Sequence, residues 1–233
     1  MRAFFYGVML QCRLDLRSKN LFITCYIVPL FFFLLMGGIF TAVMPEMKET
    51  LIPSMIVMGV SMGSLVGLPP SLSEIFGSDI KKVYKANGVP LFLELVTLCL
   101  SAFIHLLIMS LIIMGLAPAL FDGALPQKPG IFLTALALYI IVSIGVGSIL
   151  GLTISNPARL TMVEQLIFLP SIMLSGIMFP AKLLPDALEF MGKMFPSFWG
   201  YELMAGSALP LAGLGYFAVV FAAALVVCKW RCK

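Results

Sequence analysis

The chain has 233 residues, 61% of them hydrophobic and only 11% charged, with a net charge of +4. A soluble domain carries roughly 25% charged residues. With a mean hydropathy of +1.08, this chain has too few polar side chains to cover a water-facing surface, so the bilayer is its solvent. In such a chain the distribution of Lys and Arg matters more than their sum, and the positive balance says nothing about nucleic acid.

Arg2 precedes a short apolar patch, Ala3 to Leu10, but polar Gln11 to Asn20 follows without a small-x-small cleavage site, so the segment reads as retained. Residues 1-20 are expected to form an interfacial helix. Gln11, Asp15 and Lys19 recur at four-residue steps, and a lone strand would leave its backbone unpaired. The charges Arg13, Asp15, Arg17 and Lys19 belong to that helix or serve only as an orienting anchor.

Six runs are long and apolar enough to cross: Leu21–Val43, Leu51–Leu72, Leu91–Ala117, Ile131–Ile154, Met162–Pro180 and Ala208–Cys228. A span needs about 20 such residues. The runs are apolar all round, which excludes barrel strands. The expected fold is an all-α integral membrane protein with six transmembrane helices in one transmembrane domain, residues 1-233. Eleven Lys and Arg fall in the termini and alternate loops and four in the others. That bias predicts both termini, and the loop 73-90, in the cytoplasm.

Within the spans, Pro29 and Pro170 predict kinks, and Pro69-Pro70 is expected to end the second span. Gly59, Gly63 and Gly67, and likewise Ser143, Gly147 and Gly151, form small-residue stripes that serve packing within the chain or contact between chains. The third span carries a polar stripe, Glu94, Thr97, Ser101 and His105, on one helical face. Ionisable groups at that depth suggest function. The other reading is a neutral, hydrogen-bonded His105 with Glu94 reaching the cytosolic interface. Residues 181-207 are too apolar for a free loop and read as short external helices dipping back into the outer leaflet, with Trp199 and Tyr201 at headgroup level.

No cysteine lies in an external loop, and no Cys/His spacing suggests a metal site. The sequence has no G-x-x-x-x-G-K-[ST], so any ATP energy must come from another chain. Motifs for hydrolysis are likewise missing.

Two local patterns complete the picture. Glu74-x-x-Gly77 followed by Pro90 lies in the loop after the second span. Ser175-Gly176-x-x-Phe179-Pro180, then Pro185 and Pro196, lies around the outer end of the fifth. With the topology, they resemble an ATP-binding-cassette transporter permease of type 2, the exporter class, over nearly the whole chain. Ser78 stands where that family usually has Thr.

The resemblance implies that residues 73-90 form a coupling helix, with Glu74, Gly77, Asp79, Lys81, Lys82, Lys85 and Pro90 meeting a separate cytosolic ABC ATPase. Two ATPase copies and a second permease chain, identical or related, would complete the unit. ATP and Mg would sit on the partner, with no cofactor and no catalysis in this chain. The second and fifth spans would line the path, which points to Met55, Met58, Met62, Leu166, Leu169, Ile172 and Met173, an adaptable wall for an amphipathic or hydrophobic cargo. Those methionines also read as packing filler. Ser175, Gly176, Phe179, Pro180 and Pro185 would form an external gate, and the location would be the bacterial inner membrane. The alternatives are a membrane-embedded redox protein or enzyme built on His105 and Glu94, a channel, or an assembly factor, none of them coupled to ATP.

Overall fold

A computed structural model describes residues 2–88, 90–178, 185–206 and 211–231. Among them every regular element is helical. Helix α1, Arg2–Arg17, leads through the short α2, Lys19–Phe22, into the first long helix, where a π-helical turn, Ile23–Ile27, joins α3, Val28–Ala42. A 3-10 turn, Pro45–Thr50, precedes the second. That helix runs through α4 (Leu51–Met62), a π-helical turn (Gly63–Gly67) and α5 (Leu68–Gly77), and the short α6, Ile80–Ala86, follows. Then come α7, Leu91–Phe121, α8, Pro129–Thr153, and α9, Pro157–Met173. Two short helices, α10 (Asp186–Gly192) and α11 (Pro196–Ala205), precede α12, Leu211–Arg231.

Five of these helices are long and apolar enough to cross a membrane: Ile23–Ala42, Met47–Gly77, Leu91–Phe121, Pro129–Thr153 and Leu211–Arg231. The expected fifth crossing, Met162–Pro180, differs. Its helix starts earlier, at Pro157, where the Asn156 side chain caps the Arg159 amide at 3.1 Å, and it stops at Met173. At about 1.5 Å per residue this helix is about 25 Å long, short of the roughly 30 Å hydrocarbon core. The stop has a local cause. Gly176 takes φ of 83°, a left-handed conformation that glycine adopts without strain.

Helix α4 is the centre of the bundle, buried from Leu51 to Ser61. Around it pack α3, α7, α9 and α11, while α8 packs against α5, α11 and α12.

The two π-helical turns share one construction. The Val28 amide reaches back to the Ile23 carbonyl, and the Leu68 amide to Gly63. In each case the next residue is proline, Pro29 or Pro69, which has no N–H to continue the ladder. The wider turn absorbs that defect before the proline ring arrives, and π-turns commonly serve as such adjustments. The second helix therefore runs through Pro69-Pro70 to Gly77 rather than ending there, a correction to the sequence expectation. Both glycine stripes are used inside the chain. Gly63 faces Leu106 and Cys25, a Cβ at Gly147 would overlap the Ser64 carbonyl oxygen, and one at Gly151 would lie 2.7 Å from that of Pro69.

Candidate functional site

Two regions collect the residues singled out from sequence. The first is residues 73-90. Glu74 sits exposed on the last turns of α5, and its carbonyl accepts a 2.5 Å hydrogen bond from the Ser78 hydroxyl. That hydroxyl in turn accepts from the Ile80 amide at 3.3 Å, so one serine closes α5 and opens α6. A Cβ on Gly77 would come within 3.0 Å of the Ser155 side chain and 3.3 Å of its Cα, which explains a glycine there. Asp79 pairs with Lys82 at 2.7 Å, both exposed. Such a surface pair contributes at most about 1 kcal/mol. Lys81 and Lys85 lie along the same helix. Gly88, with φ of 67°, ends the segment, and Pro90 opens α7.

Ile80 and Val83, a turn apart on α6, are 38% and 58% exposed. The sequence reading weighed only the charges and missed this apolar pair, although the spacing of three was visible.

The inner side of α6 is tied down. Tyr84 meets Glu94 on α7: burial pushes its phenol up, and the charge and hydrogen bond of Glu94 push it further. Tyr84 therefore stays a neutral donor toward that carboxylate. Further along the stripe, Thr97 bonds back to the Leu93 carbonyl at 2.9 Å. Ser101 donates to Asp15 of α1 at 2.5 Å, and Gln11 donates to the other Asp15 oxygen at 2.8 Å. His105 Nδ1 lies 2.7 Å from the Tyr26 hydroxyl of the first long helix. Its buried Nε2 has no protein partner. His105 also lines a cavity of about 20 Å³ with Asp15, Cys25 and Tyr26, enough for one water molecule. The stripe thus joins α6, α1 and the first long helix to α7. Arg13, Arg17 and Lys19 remain exposed beside this seam.

The second region is α9. Leu166, Leu169 and Met173 are 70%, 53% and 56% exposed, and with Met162 their spacing puts them on one helical face. Ile172 turns inward, and Met55 and Met58 are buried inside α4. Met62 is half-buried. The seven residues expected on one wall therefore separate: the α9 face is open, whereas α4 is enclosed by the chain's own helices. Ser175 is fully buried and donates to the Ile172 carbonyl at 2.8 Å. Phe179 and Pro180 lie outside the described residues, as do 181–184 and 207 of the expected external segment. Pro185 is exposed just before α10.

Two buried polar features escaped the sequence reading. Ser61, Tyr139, Ser171 and Ser197 meet in the core, with the Tyr139 hydroxyl 2.6 Å from Ser61, and Ser197 in contact with both Ser61 and Ser171. The group ties α11 to α4, α8 and α9, but single serines far apart in sequence carry no spacing signal. Glu164 on α9 is buried, with one carboxyl oxygen unpartnered.

Long apolar helices, a buried central span and a short helix displayed at one end define a multi-pass membrane protein. The profile of the ABC-2 type transporter family matches residues 2–209, and the chain belongs to that family. It is a transporter permease subunit, and such permeases generally work with an ABC ATPase. No curated protein matches the chain.

Proposed function

We propose that this chain is the membrane half of an ATP-driven exporter, seated in a bacterial inner membrane with both termini in the cytoplasm. The supporting observation is α6. It carries exposed Ile80 and Val83 beside the charges Asp79 and Lys82, which suits a groove on a separate protein. Two ATPase copies, holding ATP and Mg, would grip one α6 from each of two permease chains, identical or related. Closure of the ATPases would push α6. Tyr84–Glu94 and Ser101–Asp15 would then carry the movement into α7 and α1.

The path would run along the exposed α9 face, with Leu166, Leu169 and Met173 as its wall. That surface is apolar and adaptable, so it favours an amphipathic or hydrophobic cargo. Helices α10 and α11 would act as a re-entrant lid over the exit, with the turn at Ser175 and Gly176 as its hinge.

Capture of the tagged chain from its native cell in mild detergent should bring down a P-loop ATPase. Reversing Lys81 and Lys82 together should weaken that capture through lost charge complementarity. A chain that never captures an ATPase overturns the proposal.

A further inference from the structure

Away from α6, a cavity of about 370 Å³ opens between the 3-10 turn Pro45–Thr50, the loop leading into α8 and the end of α11. That volume lies within the range of small-ligand sites, roughly 300–1,000 Å³. Its walls include Phe132, Leu203 and Met204, all buried residues. Glu49, Gln127 and Lys128 also line it and are exposed. The ion pairs among the described residues are Lys82–Asp79 and Lys193–Glu189. Glu49 and Lys128 therefore share a cavity without pairing.

This combination discriminates among ligands. A lone anion drawn to Lys128 would face the Glu49 carboxylate, and a lone cation would face Lys128. An apolar molecule would satisfy the floor and strand both charges. A head carrying both signs beside a hydrocarbon part matches every element.

We propose that the cavity binds the zwitterionic head of a phospholipid. Lys128 takes the phosphate, Glu49 takes the ammonium, and the Gln127 amide donates to a phosphate or ester oxygen. The methylenes rest on Leu125 and Ile131, which the buried Phe132, Leu203 and Met204 back. A membrane source fits the position, because the cavity lies where α4 and α8 begin, at the ends of two long apolar helices, and Leu125 at its edge is 58% exposed. The proposal is independent of the ATPase and of the direction of transport.

Native mass spectrometry of the full chain, exchanged into phosphatidylethanolamine or phosphatidylglycerol with identical acyl chains, tests it. The ethanolamine lipid should be retained roughly five-fold better, the scale of one partly exposed charge pair. Glu49→Gln should abolish the preference, whereas Lys128→Gln should weaken retention of both lipids, which share the phosphate. Both residues are exposed, so the variants should fold. The double exchange Glu49→Lys with Lys128→Glu should restore the preference, because the head can turn round. Equal retention of the two lipids, or an unchanged preference in Glu49→Gln, overturns the site. Displacement of the lipid by free phosphoethanolamine overturns the lipid assignment in favour of a soluble zwitterion.

Discussion

Ser101 and Asp15 stand 86 positions apart in sequence, yet the serine hydroxyl donates to the aspartate at 2.5 Å. The bond fixes α1 against the side of α7 at a point about 15 Å along that helix, at 1.5 Å per residue. Truncating the serine leaves a half-buried carboxylate short of a donor. Ser101→Ala should therefore cost about 1–3 kcal/mol, read as a lowered midpoint of thermal unfolding in detergent. Asp15→Asn keeps an acceptor there and should cost less. An unchanged midpoint in Ser101→Ala would show that the contact contributes nothing.

Tyr26 and His105 form the next joint, between the first long helix and α7. Tyr26→Phe and His105→Phe should each destabilise, and the double variant should lose less than their sum. A double-mutant cycle should return a coupling of about 0.5–3 kcal/mol. Strict additivity would mean that the two side chains act separately.

Close approach of α8 to the second long helix depends on Gly147, whose Cβ would overlap the Ser64 carbonyl oxygen. Gly147→Ala should cost about 1–3 kcal/mol by overpacking and lower the yield of folded protein. Gly215 on α12 has nothing within 4 Å of a built Cβ, so Gly215→Ala is the matched control and should be neutral. Equal behaviour of the two variants would refute the packing argument.

The α9 face makes a prediction about transport without a stability penalty. Leu169 is 53% exposed, so Leu169→Trp adds bulk outside the chain's own core. If that face lines the path, transport by the reconstituted complex should fall several-fold while the unfolding midpoint stays put. Met58→Trp should instead unfold the chain, because Met58 is 4% exposed. Unimpaired transport in Leu169→Trp would remove α9 from the path.

Much of this was legible in the sequence, and the gaps have physical causes. Apolar runs located the long helices because in lipid a buried helix and a lipid-facing one are equally hydrophobic. For the same reason hydropathy could not say which face of which helix points inward, so Met55 and Met58 were grouped with Leu166 and Met173. Pro69-Pro70 read as a stop because the rule for proline concerns an unbroken α-helix, and the π-turn at Gly63–Gly67 changes the hydrogen-bond register just before it. The polar stripe from Glu94 to His105 was visible through its helical spacing. Its partners Tyr84, Asp15 and Tyr26 were not, since nothing in the spacing within one helix identifies what packs against it.

The central claim is that α6 docks into a separate ATPase through its exposed face. The direct measurement is quantitative capture of the ATPase by the chain carrying Ile80→Asp and Val83→Asp together, in mild detergent, with membrane insertion checked in the same sample. Both side chains are exposed, so the chain itself should fold and insert as before. The account predicts capture reduced at least about ten-fold, the loss of roughly 1.4 kcal/mol of binding. Undiminished capture by a correctly inserted double variant would contradict it.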